Sequence, residues 1–219
     1  MFFMIIAGID EAGRGPCLGP MVLAVTSIEK KNEEKLLEIG VKDSKMLSPR
    51  QRLEQFGKIK GAVNEFATVH IEPEELDRLM DWRSLNEIEA MKIGFLLNNL
   101  KQKPDVVFVD ACDVIEENFT KRIRKYLVFD VSIKSEHKAD VNYPIVSSAS
   151  IIAKVERDKR IEELSKEFGC MGSGYPHDPL TISFLKKWMD SHKALPPFAR
   201  HAWDTNKRIT DEFFQRKLF

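Results

Sequence analysis

The stretch from Ile5 to Pro20, Ile-Ile-Ala-Gly-Ile-Asp-Glu-Ala-Gly-Arg-Gly-Pro-Cys-Leu-Gly-Pro, constrains the fold of this chain more than any other. It lies on an apolar run, Met4 to Ile9, of the length and composition of a buried strand. Two adjacent carboxylates, Asp10 and Glu11, end that run. Neighbouring side chains of an extended chain point to opposite faces. The pair is therefore expected to converge on one site only if the backbone bends just there. Gly13 and Gly15 flank Arg14 and supply a turn whose backbone can come close to a ligand. Acid pair, glycines and a lone cation point to a metal ion and a phosphate side by side. A strand that ends in a polar turn is the plainer alternative.

The chain is long enough, at 219 residues, for one substantial core with a smaller appended lobe. No segment has the length and apolarity of a membrane span, and the short, uncharged apolar start does not read as a signal peptide. Cys17, Cys112 and Cys170 are scattered without metal-ligand spacing, which points to a reducing, cytoplasmic setting. Formal net charge is zero, but its distribution is uneven. From Leu185 to Phe219 there are eight Lys or Arg against four Asp or Glu, so the C-terminal part is basic while the acids of interest lie earlier. That polarity suits a nucleic-acid duplex gripped at one end and a metal site at the other.

After the glycine turn, Met21 to Ile28 reads as a second strand, antiparallel to the first across a tight link. Ser48-Pro49-Arg50-Gln51 opens a helix with a capping box and Pro at the first position. Val63 to Ile71 reads as a third strand, followed by a short helix after Pro73. Apolar residues at 85, 88, 93, 96, 97 and 100 define an amphipathic helix. Val106 to Val109 is a short buried strand with Asp110 at its C-terminal end, the place where functional groups gather in open α/β sheets. A helix over Phe119 to Leu127 and a fifth strand over Val128 to Ile133 are expected next. Asp140 precedes a long helix from about Tyr143-Pro144 to Phe168, on which Lys154 and Arg157 offer cations and Asp158 reads as an ion-pairing residue. His137 reads as a structural or solvated loop histidine. Further helices are expected over Leu180 to Met189 and Thr205 to Leu218. The composition shift after Gly169 divides the chain into a catalytic domain, 1–169, and a C-terminal helical, substrate-binding lobe, 170–219.

Gly8-Ile-Asp-Glu-Ala-Gly-Arg-Gly-Pro16 resembles the signature of type 2 ribonuclease H, in its archaeal form. The similarity continues at Asp43-Ser-Lys45, Val109-Asp-Ala111, His137-Lys-Ala-Asp140, Val146 to Lys154, Gly172 to Asp178 and Arg200-His-Ala-Trp203, in order along nearly the whole chain. Arg14 stands where the sister type 3 enzymes usually carry another residue. The resemblance implies a ribonuclease H-like α/β fold: a five-stranded mixed sheet flanked by helices, with a C-terminal helical lobe. It implies endonucleolytic cutting of RNA in RNA–DNA hybrids, and of single ribonucleotides in duplex DNA, leaving 5′-phosphate and 3′-hydroxyl ends. It assigns catalysis and metal binding to Asp10, Glu11, Asp110 and Asp140. It assigns substrate contacts to Gly13, Arg14, Gly15, Lys45 and Tyr175.

The donor chemistry agrees independently. Four carboxylates brought together repel unless a cation neutralises them. Oxygen ligands without a histidine or thiolate cluster favour Mg²⁺ or Mn²⁺ over zinc, and two such ions suit an in-line phosphodiester displacement. A related two-metal nuclease acting on DNA ends would not need the Gly-Arg-Gly turn. A non-catalytic hybrid-binding module is expected to have lost at least one of the acids, and none is lost. The chain is expected to act as a monomer. Gln215 and Leu218 resemble the first half of a sliding-clamp-binding peptide, but the paired aromatics that complete one do not follow, and an amphipathic end helix is the plainer reading.

Overall fold

The computed structural model describes residues 4–41 and 47–215. In chain order the strands are β1 (Ile5–Ala12), β2 (Met21–Glu29), β3 (Glu65–Ile71), β4 (Val106–Asp110) and β5 (Ser132–Glu136). The helices are α1 (Glu34–Ile39), α2 (Pro49–Ala62), α3 (Pro73–Met80), α4 (Leu85–Asn99), α5 (Glu116–Arg124), α6 (Ala139–Asn142), α7 (Pro144–Phe168), α8 (Pro179–His192) and α9 (Asp204–Gln215). The strands form one mixed sheet in the order β3-β2-β1-β4-β5. β1 is antiparallel to β2 and parallel to β4, and β4 is parallel to β5. The expected five-stranded mixed sheet with flanking helices is observed. So is the capping box at Ser48, whose side chain accepts from the Gln51 amide while Gln51 reaches back to Ser48.

By packing, the chain divides into two compact units. The first comprises 1–12, 22–69 and 84–156; the second comprises 13–21, 70–83 and 157–219. The expected boundary after Gly169 differs from this division, because α7 gives its first thirteen residues to one unit and the rest to the other.

The first unit contains the sheet and a core between one sheet face and α7, in which Ile6, Val22, Ala24 and Ile28 meet Ile145, Val146, Ala149 and Ile152. Gly8 explains how closely helix and strand approach. A Cβ there would lie 2.4 Å from the Ile145 backbone, so only glycine lets α7 rest on β1. On the neighbouring strand, the buried Thr26 hydroxyl donates to the Ile145 carbonyl at 2.8 Å, satisfying a polar group that the contact removes from water. The second unit has its own core, built from Cys17, Leu18, Leu164, Met171, Leu185, Met189, Phe198 and Phe213.

Two expected boundaries are corrected. The fifth strand is Ser132–Glu136 rather than Val128 to Ile133. The parallel ladder runs from Val106–Ser132 to Asp110–Glu136, while Val128 lies before it with a largely exposed side chain and gives its amide to the Asn98 side chain. The apolar residues at 127–129 mimic a strand that the register of β4 does not accept. The helix expected over Phe119 to Leu127 begins and ends earlier, at Glu116 and Arg124, with Phe119 and Ile123 as its buried residues.

Candidate active site

All four expected carboxylates lie in the first unit. β1 and β4 are paired in parallel up to Ile9–Val109, so Asp10 and Asp110 follow at equivalent positions on neighbouring strands. Asp10 shares a sheet face with Gly8, and Asp110 shares one with Phe108, because side chains alternate along a strand. This is the face that α7 covers. Asp140 is the second residue of α6 and is buried. Asp110 and the α6 segment are joined directly, since the Ala139 amide donates to Asp110 Oδ1 at 2.8 Å.

Glu11 is placed differently from expectation. No bend separates it from Asp10: β1 continues through Ala12, with Asp10 opposite Ala24, Glu11 opposite Leu23 and Ala12 opposite Val22. The change of direction comes at Gly13, whose φ is +86°. Along an unbroken strand the Glu11 side chain leaves from the other face than Asp10. Its amide nevertheless donates to Asp10 Oδ1 at 2.8 Å.

Electrostatics tie Asp10 to Asp110. Burial, and after it the neighbouring Asp110 charge, push its carboxyl from 3.8 up to about 7. The Ser150 hydroxyl, the Glu11 amide and the Lys154 ammonium act in the opposite direction but do not win. Ser150 and Lys154 lie one turn apart on α7, and the Lys154 ammonium donates to the Ser150 hydroxyl at 2.8 Å. Ser150 is a contributor that sequence reasoning missed. The signal is the small polar run Ser147-Ser148-Ala149-Ser150 between the apolar residues Ile145-Val146 and Ile151-Ile152.

A divalent cation fits this arrangement. The donors are carboxylate oxygens, and the buried Asp10 beside the half-buried Asp110 is a like-charged pair that such an ion relieves. Among the described residues, no three His, Cys, Asp or Glu side chains close into a complete ligand cluster. Mg²⁺ is commonly held by one or two carboxylates together with substrate phosphates and water, rather than in an all-protein cage. His137 has the structural role expected of it. Its ring nitrogens lie 3.2 Å from the Ala111 carbonyl and 3.4 Å from that of Val114, and its amide donates to Glu116 Oε1.

The expected substrate residues Gly13, Arg14, Gly15 and Tyr175 all lie in the second unit, and Lys45 lies outside the described residues. The Gly15 Cα sits so that an added methyl would be 3.8 Å from the Tyr175 ring, an ordinary contact. At Gly13 a methyl would come within 2.8 Å of the Arg157 side chain and of the Pro20 carbonyl. Arg157, almost fully buried, stacks its guanidinium 4.8 Å from the Tyr175 ring centre and donates to the Ser173 carbonyl at 2.7 Å. Arg200, fully buried, donates from Nε to the Gly19 carbonyl and from Nη1 to that of Arg14. Burial, followed by the Arg157 charge, holds Arg200 down to about 9. The Cys17 and Leu18 amides both donate to the Gly174 carbonyl, and Asn206 donates to the Cys17 carbonyl. The glycine-rich turn is thus held by backbone bonds and two buried arginines.

Comparison with known proteins completes the picture. The family model for ribonuclease HII matches residues 7–206. Ribonuclease HII of Pyrococcus abyssi is 43% identical over 98% of this chain and 95% of that protein. Among solved structures, the ribonuclease H2 of Pyrococcus horikoshii OT3 superposes with a TM-score of 0.92 at 43% identity, covering 97% of this chain and all of the other. The ribonuclease HII of Archaeoglobus fulgidus, solved in complex with PCNA, superposes with a TM-score of 0.84 at 39% identity, covering 92% of this chain and 96% of the other. With its sheet, its paired strand-end carboxylates and its full-length similarity, the chain belongs to the ribonuclease HII family and is a phosphodiester hydrolase of the ribonuclease H type.

Proposed function

We propose that the protein is a divalent-metal-dependent endonuclease that cuts the RNA strand of RNA–DNA hybrids and single ribonucleotides embedded in duplex DNA. The products are a 5′-phosphate and a 3′-hydroxyl. The observation that carries this reading is the Asp10–Asp110 pair at adjacent strand ends, where burial of Asp10 and, after it, the Asp110 charge raise the Asp10 carboxyl to about 7. Asp10, Asp110 and Asp140 would hold Mg²⁺ or Mn²⁺, and Glu11, whose side chain leaves β1 from the other face, is kept in the set on the family resemblance. When bound, such ions activate water and stabilise the leaving oxygen of an in-line displacement.

The chain's own groups prepare that chemistry. Ser150 and Lys154 favour the ionised, ligating form of Asp10, and the Ala139 amide orients Asp110. Ribose must be sensed through its 2′-hydroxyl, the group that separates RNA from DNA. The backbone of Gly13-Arg14-Gly15 supplies polar groups that a sugar edge can approach, and Tyr175, backed by Arg157, supplies a stacking face. The test is cleavage of a duplex with one embedded ribonucleotide, with and without Mg²⁺, with end-group analysis of the products. Cutting that persists in EDTA, or that leaves a 3′-phosphate, would contradict the reading.

A sliding clamp is proposed as a partner through the segment from Gln215, on the strength of the Archaeoglobus fulgidus relative solved with PCNA. Residues 216–219 lie outside those described. Calorimetric titration of a clamp into the full chain and into a chain ending at Phe214 is expected to show affinity only for the former. Equal affinities, or no binding by either, would remove the clamp. The enzyme is proposed to act as a cytoplasmic monomer.

A further inference from the structure

Asp140 is carried on a short excursion of the chain. Residues 137–142 leave the sheet at the end of β5 and return at Tyr143, immediately before α7. The base of this excursion is closed by side chains. The Tyr143 hydroxyl donates to Glu136 Oε2 at 2.8 Å. The Lys134 ammonium lies 2.6 Å from Glu136 Oε1 and donates to the Tyr143 hydroxyl at 2.5 Å. Lys134 first, and Tyr143 after it, hold the Glu136 carboxyl below its ordinary value, so it remains an ionised acceptor. The Tyr143 ring is stacked on Phe108 with centroids 4.4 Å apart.

These contacts tie the excursion to both strands that matter for Asp110. Phe108 precedes Asp110 by two residues on the same face of β4, and Glu136 is its ladder partner on β5. Within the excursion, Ala139 supplies the amide that orients Asp110, and Asp140 is the next residue. A shift of the 136–143 closure would therefore move one proposed metal ligand and the hydrogen bond that aligns another.

We infer that the hydrogen bond from Tyr143 to Glu136, with Lys134 lying against it, is a clasp that sets the spacing of Asp110 and Asp140, so that Tyr143 and Glu136 act as positioning residues for the metal site. The inference rests on the metal-binding reading proposed above. Groups that orient ligands from behind typically change metal affinity or activity by about 10–100-fold when removed. Glu136 is not itself assigned as a ligand, because its two oxygens are engaged by Lys134 and Tyr143.

The test is Mn²⁺ binding by calorimetry, with kcat and KM on an RNA–DNA hybrid, for Tyr143→Phe, Glu136→Ala and Glu136→Gln. Tyr143→Phe keeps the stack on Phe108 and removes only the hydroxyl. Glu136→Gln keeps an acceptor for that hydroxyl and removes the charge. The clasp predicts that Tyr143→Phe and Glu136→Ala each weaken Mn²⁺ binding by about 10-fold or more. Both should lower kcat at unchanged KM, leave the metal-free Tm nearly unaltered, and contrast with a near-wild-type Glu136→Gln. If Tyr143→Phe binds Mn²⁺ like the wild type while both Glu136 variants fail alike, the charge of Glu136 matters and the clasp is wrong. If all three variants bind and turn over like the wild type, the clasp is wrong while the metal site stands. No Mn²⁺ binding by the wild-type chain would remove the metal reading, and the clasp with it.

Discussion

Asp10 is where charge and packing conflict most sharply. Its carboxyl is buried beside Asp110, and in the folded chain it keeps a proton up to about pH 7 that the unfolded chain releases near 3.8. Between those values the folded state binds more protons, so stability falls as pH rises, by a few kcal/mol in total, and levels off above the folded value. Asp10→Asn should flatten this dependence. In EDTA the variant is expected to be more stable than the wild type above neutral pH and to lose that advantage in acid. Urea midpoints measured across the interval decide it, and parallel pH profiles would remove Asp10 as their source. A second prediction separates two glycines that the sequence alone treats alike. Gly13 needs a positive φ and has no room for a methyl, so Gly13→Ala should cost roughly 1–3 kcal/mol of stability. Gly15 has neither constraint, so Gly15→Ala should fold normally, and any loss of cleavage then reports on the sugar. Tyr175→Ala should slow cutting at a single embedded ribonucleotide more than cutting of a continuous hybrid, where further 2′-hydroxyls compensate. Equal slowing would make its role general positioning, and no effect would remove it from ribose recognition.

At the scale of elements, the contact between β1 and α7 holds the site in shape. Gly8→Ala would force the start of α7 off the sheet, close to Thr26 and two positions before Asp10. A loss of about 1–3 kcal/mol is expected, as for other overpacked cores, together with reduced activity. A variant of unchanged Tm would show that the helix can retreat freely. The elements also show what could be read from the chain. Asp110 is legible because it stands at the C-terminal end of a short apolar strand, where functional groups gather in open α/β sheets, and β1, β2 and α7 because their patterns are long. β5 was misplaced because Leu127-Val-Phe129 has the apolarity of a strand, whereas Ser132-Ile-Lys-Ser-Glu136 is selected by its register with β4. Local composition does not encode that register. The bend that convergence of Asp10 and Glu11 requires is absent for a similar reason: the ladder to β2 holds the strand straight until Gly13 relieves it. In the sequence the buried arginines of the second unit read only as cations or motif residues. Their work as struts under the glycine-rich turn depends on partners far away in sequence, such as Gly19 for Arg200 and Tyr175 for Arg157.

At the scale of the whole molecule, the residues proposed for chemistry and those proposed for recognition come from different parts of the chain. The four carboxylates belong to the first compact unit, while Gly13, Arg14, Gly15 and Tyr175 belong to the second. Substitutions among the former should act on kcat and metal binding, and among the latter on discrimination between substrates. No helix among the described residues is long and apolar enough to cross a membrane. The central claim is that the strand-end carboxylates carry the hydrolysis, and the turnover of Asp110→Asn on an RNA–DNA hybrid at saturating Mg²⁺ tests it most directly. The substitution removes one charge from a repelling pair, so the chain should stay folded, with a Tm equal to or above that of the wild type in EDTA. Cleavage is predicted to fall by several orders of magnitude; near-wild-type turnover by the folded variant would contradict the account.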